Sequence, residues 1–195
     1  MIWFTADTHF DHTAIMRYCE RPWDDIGRMN EVLIENWNTV VSPQDDVYHL
    51  GDFAFSKASR IEELIGCLNG RIHFIRGNHD GPIGLNWKRG FIWVKDYYEL
   101  KVDDEEMNER QRIVLCHYPI ESWNGRYHGA WMLHGHSHGT VPSSDKQARL
   151  DVGVDCNRFF PVSYDEVKFR MTRKVFKPVC NCNPKHTDVP CPHGN

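Results

Sequence analysis

The sequence predicts an α/β protein, a four-layer αββα sandwich of two mixed β-sheets packed face to face and flanked by helices. Three observations carry that prediction. Up to residue 80, apolar segments of strand length alternate with segments of helical periodicity in the order strand, helix, strand, helix, strand, which calls for parallel pairing. From residue 91 the pattern turns strand-rich. The 195 residues, 41% of them hydrophobic, suffice for one core and fall short of two full domains.

Each element follows from its residues. Residues 1–6 are a short apolar run delivered to Asp7, a buried first strand. A helical region follows. Asp24 or Asp25 caps a segment in which Met29, Val32, Leu33, Trp37, Val40 and Val41 recur at helical spacing, and Ser42-Pro43 ends it. Residues 46–50 form a second strand that stops at Gly51-Asp52. The stretch 56–68 places Ile61, Leu64, Ile65 and Leu68 on one helical face, with Asn69-Gly70 as its stop signal. A third strand, 72–75, breaks at Gly77-Asn78-His79-Asp80. Further strands are predicted at 91–94, 97–102, 112–116, 131–134 and 150–154, with a charged hairpin over 103–110 and a late helix over 164–172. The expected division is one domain over 1–177 and a Cys/His/Pro-rich tail over 178–195.

Composition excludes several classes. No apolar run approaches the roughly 20 residues that span a bilayer, and the amino terminus has no basic leader, so a cytoplasmic location without a membrane partner is expected. With 23 basic against 27 acidic residues (net −4) and no block of Lys or Arg, duplex nucleic acid is not expected as a bulk partner, while a nucleotide substrate stays open. The chain is rich in metal-ligating and proton-moving types, with 12 His and 7 Cys beside its 27 carboxylates.

Five polar clusters end predicted strands: Asp7-Thr8-His9, Gly51-Asp52, Gly77-Asn78-His79-Asp80, Cys116-His117 and Gly135-His136-Ser137-His138. The carboxyl ends of strands in α/β sheets converge on one crevice, and these clusters supply the mixed nitrogen and oxygen donors that suit Mn, Fe, Zn or Ni. In order, the five blocks resemble those of the calcineurin-like metallophosphoesterase superfamily over residues 1 to about 155. The stretches Phe4-Thr5-Ala6-Asp7-Thr8-His9-Phe10, Cys116-His117-Tyr118-Pro119 and Ser122-Trp123-Asn124-Gly125 further resemble a small bacterial and phage-encoded branch of that family.

The resemblance implies two divalent metal ions at strand ends. One would be held by Asp7, His9, Asp52 and His138, the other by Asp52, Asn78, His117 and His136, with Asp52 bridging. It implies hydrolysis of a phosphoester by a metal-bridging hydroxide, in a cleft where two cations lie about 3.5–4 Å apart. His79 is the candidate acid for the leaving oxygen, with Asp80 to orient or charge-stabilise its ring. A small phosphoester, a nucleotide among the options, is the expected partner. A phosphodiester is favoured because the chain shows no inserted cap over the site. A phosphomonoesterase on the same residues and a metal-binding interaction module without catalysis are the alternatives.

Other residues carry two readings at this stage. Arg17 and Arg21 lie on a solvated helix face or clamp ester oxygens, and His12 shares their helix. Asn124 and Arg126, with His128, belong to a surface loop or touch substrate. Gly135-His136-Ser137-His138-Gly139 satisfies the G-x-S-x-G pattern of serine hydrolases, but residues 140–144 do not open a helix cleanly. Cys180, Cys182 and Cys191, interleaved with His186 and His193, either bind a structural Zn or form an open tail.

Overall fold

The computed structural model describes residues 1–81, 83–84, 89–104, 106, 109–141 and 147–174. The tail, with the zinc option at its cysteines, lies outside the described residues. Strand β1 (Ile2–Thr5) pairs in parallel with β2 (Asp46–His49), which pairs in parallel with β3 (Arg71–Ile75), and β3 with β4 (Phe91–Lys95). A two-residue strand, Val162–Ser163, closes the other edge of β1 in antiparallel sense and makes this five-stranded sheet mixed. The second sheet holds β5 (Tyr97–Asp104), β6 (Glu109–Cys116), β7 (Trp131–His134) and β8 (Arg149–Asp151) in that order. Its first pair is antiparallel and the rest parallel. The two edge-to-edge orders confirm two mixed sheets flanked by helices.

The helices form where the apolar stripes predict them. Helix α1 spans Thr13–Tyr18. Helix α2 (Ile26–Val40) is capped by the Asp25 carboxylate, which accepts from Arg28 N–H at 2.8 Å, and it buries Met29, Leu33 and Trp37 at i, i+4 spacing. Helix α3 (Ala58–Gly66) buries Ile61, Leu64 and Ile65. These side chains pack with Val47, Ile72 and Phe74 of the five-stranded sheet into one core cluster. A second cluster fills the space between the sheets, where Phe4, Tyr48 and Ile75 meet Ile113, Leu115, Trp131 and Leu133. Helix α4 (Tyr164–Thr172), capped by Ser163, adds Tyr164, Val167 and Met171 to that inter-sheet core. Among the described residues, no helix is long and apolar enough to cross a membrane.

The amino-terminal edge of the sheet is tied by Asp45. Its carboxylate accepts from the amino group of Met1 at 2.7 Å, from Ser42 N–H at 2.9 Å and from the Trp3 indole at 3.0 Å. The Met1 amino group first, then the Ser42 N–H, pull its pKa down to about 2, against an opposing effect of burial. A folded-state pKa below the unfolded value stabilises the fold above the ordinary carboxylate range, and that stabilisation is lost as pH falls from about 4 towards about 2. Asp45→Asn is therefore expected to lower the unfolding free energy by about 1 kcal/mol at pH 7. The difference from wild type should shrink at pH 4 and again at pH 3, read from urea midpoints; a constant difference would contradict it.

Candidate metal centre

The carboxyl ends of β1, β2 and β3 and of β6 and β7 open onto the same crevice, and all five clusters sit there. Backbone pairing continues past the strands to join their loops. Asp7 N–H donates to Gly51 O at 2.9 Å, His9 N–H to Asp52 O at 3.0 Å, and Gly135 N–H to His117 O at 3.0 Å. Small residues let these loops touch. A Cβ on Gly77 would collide with the Asp52 carboxylate and lie 2.6 Å from Asp52 N, while one on Gly135 or Gly153 would come within 2.6 Å of Asp7 Oδ2.

The backbone is strained at the donor residues themselves. Asp7 (φ 57°), His9 (49°), Asp52 (56°), His136 (67°) and His138 (44°) all occupy the left-handed region. Each such residue costs roughly 1–2 kcal/mol relative to ordinary geometry. Strain concentrated on five donor-bearing residues marks a site assembled for side-chain placement.

That placement brings donor atoms together in two groups. Asp7, His9 and His138 form one, Asp52, His117 and His136 the other, each with its ligand atoms within 4.8 Å of one another. Asp52 joins the groups, because its Oδ2 lies 3.6 Å from His9 Nε2 and 3.5 Å from His117 Nε2. Asn78 Oδ1 stands 3.0 Å from His117 Nε2. His117 Nδ1–H donates to the Leu50 carbonyl at 2.8 Å, which leaves Nε2 as the lone-pair nitrogen facing Asp52. Two backbone contacts from His136 N–H, at 2.9 and 3.1 Å, hold the Asp7 carboxylate.

The electrostatics are those of a cluster short of positive charge. Burial, then the Asp151 carboxylate, push the pKa of Asp7 well up, with the His136 N–H opposing. Burial, then the Arg21 charge and the surrounding imidazoles, push His9 far below its ordinary pKa. The neutral His9 ring buries an Nε2 that has no hydrogen-bond partner, although the Asp52 carboxylate lies beside it. An orphaned imidazole lone pair between buried carboxylates is the donor set a divalent cation requires, and the residues fit the pair of ions expected at strand ends.

His79, the candidate acid, lies on the wall of a cavity of about 500 Å³ above these donors, together with His12 and Phe55. Its backbone N–H donates to Asp52 Oδ1 at 2.9 Å and its ring meets His9 edge-on at 5.5 Å. Asp80 does not orient that ring. Its buried carboxylate accepts from Asp52 N–H (2.7 Å), Gly77 N–H (2.7 Å) and Phe53 N–H (2.9 Å), so it clamps two donor loops to each other.

The structure overturns one further substrate-contact expectation, that for Arg21, and locates the others. Arg17 is exposed on α1 with its guanidinium over Tyr18. Arg21 is buried beneath the site in a pair with Asp155, out of reach of a substrate. Asn124 donates to both oxygens of Glu99 and Arg126 lies over Trp123. Ser137 is buried and donates to Asp151 at 2.7 Å, which removes the serine-hydrolase option. Sequence reasoning passed over Asp155, which follows β8 outside the strand-end clusters, and the aromatic rim of Tyr18, Phe55 and Tyr118. The three rim aromatics are 67, 59 and 44% exposed in the fold, a property that no sequence pattern carries.

Donors from five strand ends, arranged in two groups about one shared carboxylate within a two-sheet α/β fold, define a candidate dinuclear metal-binding hydrolase. The chain belongs to the calcineurin-like phosphoesterase superfamily, whose domain model matches residues 1–154. That family is one of metal-dependent phosphoesterases. An uncharacterized protein of Methanocaldococcus jannaschii is 37% identical over 84% of this chain and 87% of its own length. The gene 66 protein of Mycobacterium phage L5 is 26% identical over 78% of this chain and 86% of its own. A solved protein of unknown function from Aquifex aeolicus shares the fold with a TM-score of 0.64 at 23% identity, covering 87% of this chain and 98% of that one.

The clamp by Asp80 sets an expected outcome. Asp80→Ala leaves three backbone N–H groups without their acceptor and should cost roughly 2–4 kcal/mol in urea unfolding of the metal-free protein at unchanged slope. His79→Ala, which removes an exposed ring, should change stability by less than about 0.5 kcal/mol. Near-wild-type stability of Asp80→Ala would return Asp80 to service of the His79 ring.

Proposed function

We propose that the chain hydrolyses a phosphodiester bearing an aromatic group, a nucleotide being the natural form, at two divalent cations. Asp7, His9, Asp52 and His138 would hold one ion and Asp52, Asn78, His117 and His136 the other. The observation that carries the reading is the position of Asp52 Oδ2, 3.6 Å from His9 Nε2 and 3.5 Å from His117 Nε2, where one carboxylate serves both groups. Bound divalent cations supply Lewis acidity towards a phosphoester and a nucleophile from water at neutral pH.

The chain's own residues supply the rest. His79 projects into the cavity from the loop that carries Asn78, in position to give a proton to a leaving oxygen. A second hollow of about 510 Å³ is also lined by Phe55 and His79 and includes Lys57. The two hollows share Phe55 and His79, so a diester lying across them has room for a substituent on each side of phosphorus. Phe55, 59% exposed, stacks on His12 at 4.8 Å; Tyr18 lines the same cavity and the exposed Tyr118 meets the ring of His136 at 4.9 Å. Such rings favour a planar substituent, since base stacking on an aromatic side chain contributes about 1–3 kcal/mol.

Turnover of bis-p-nitrophenyl phosphate and p-nitrophenyl phosphate, with Mn²⁺ and with chelator, tests the reading. Mn²⁺-dependent hydrolysis with higher kcat/KM on the diester is expected. His79→Ala should keep both ions and lose about 10²–10⁴-fold on nucleotide diesters, whose leaving groups are poor, with a smaller loss on nitrophenyl esters. A preference for the monoester supports a phosphomonoesterase. No metal-dependent turnover on either ester or on a nucleotide panel supports the interaction module.

A further inference from the structure

Beneath the candidate metal centre lies a charged pair that neither contacts the cavity nor belongs to the donor set. The Arg21 side chain is fully buried and all five of its N–H groups have an acceptor, Met29 Sδ at 3.5 Å being one. Nε and Nη2 donate to the two oxygens of Asp155 at 2.8 and 2.9 Å, Nη2 also to the Asp7 carbonyl at 2.7 Å, and Nη1 to the Thr8 carbonyl at 3.0 Å. Asp155 in turn accepts from His138 Nδ1 at 2.7 Å. One guanidinium thus holds the backbone of the Asp7-Thr8-His9 loop and, through Asp155, the ring of His138, joining segments 134 positions apart in sequence.

We infer that Arg21 and Asp155 are positioning residues for one of the two cation sites: Asp155 fixes the tautomer and direction of His138, and Arg21 fixes Asp155 relative to Asp7. The inference rests on the metal-centre reading above and goes beyond its donor set. With Nδ1–H given to Asp155, Nε2 is the lone-pair nitrogen left to join Asp7 and His9, the group of which His138 is a member. A carboxylate behind a ligating imidazole also raises its basicity.

The chemistry of the pair requires both members. Arg21 alone would leave a buried charge uncompensated beside the strand-end carbonyls, and Asp155 alone a largely buried carboxylate without its cation. Lysine in place of Arg21 would retain the charge and lose the planar two-point contact with Asp155.

Calorimetric Mn²⁺ titration of the metal-free protein tests the inference, with urea unfolding of the same samples. Wild type should bind two ions. Asp155→Asn should weaken one of them by about 10–100-fold and leave the other unchanged, and Arg21→Lys should weaken the same ion less. His138→Ala should weaken that ion too, and adding Asp155→Asn to it should produce no further loss, because the carboxylate acts through the imidazole. If wild type binds no Mn²⁺, the metal reading falls and this inference with it. If wild type binds two ions, three results overturn the positioning role alone: wild-type affinities in Asp155→Asn, equal weakening of both ions, or a loss that adds to that of His138→Ala. If neither Asp155→Asn nor Arg21→Lys folds without metal, the pair belongs to fold stability and the inference is overturned.

Discussion

The burial of acidic groups among neutral imidazoles is the constraint on which the rest of the molecule depends. Asp7 and Asp52 are 0 and 2% exposed, and the rings around them belong to His9 and His117, which burial keeps below their ordinary pKa. Such a cluster is costly in an apolar core, so the surrounding structure has to hold it in place. It does so with backbone N–H groups from His136 and His79 on the two carboxylates, with glycines that admit the loops, and with left-handed backbone at five donor residues. The two hydrophobic cores supply the rigidity, one on each side of the five-stranded sheet, so the loops at its carboxyl edge are anchored from both sheets.

The strands and the longer helices were legible in the sequence because their signals are local. Helix α2 follows from the spacing of Met29, Leu33 and Trp37, and the five strand-end clusters read directly as donor-bearing turns. What escaped was long-range. The two-residue strand Val162–Ser163 owes its existence to pairing with β1, which no short window reveals. The functions of Asp80 and Arg21 are set by backbone groups distant in sequence: the N–H groups of Asp52 and Phe53 for one, the carbonyls of Asp7 and Thr8 for the other. Sequence proximity to His79 and to the first donor cluster suggested catalytic and substrate-binding uses that the tertiary contacts replace with architectural ones.

The same contrast separates the two sides of the site. Below the donors, Arg21 and Asp155 are paired and shielded from solvent. Above them, His79, Phe55, Tyr18 and Tyr118 are open to solvent. A charged floor held by fixed contacts keeps the donor loops in place, while the exposed aromatic rim leaves the cleft open.

The shared carboxylate is the centre of the account, and Mn²⁺ stoichiometry in the Asp52→Asn variant tests it most directly. An amide in place of the carboxylate removes the charge common to both donor groups, so both ions should weaken together relative to a wild type that binds two. Retention of one ion at wild-type affinity in Asp52→Asn would show that the two groups do not share Asp52, and would contradict the account.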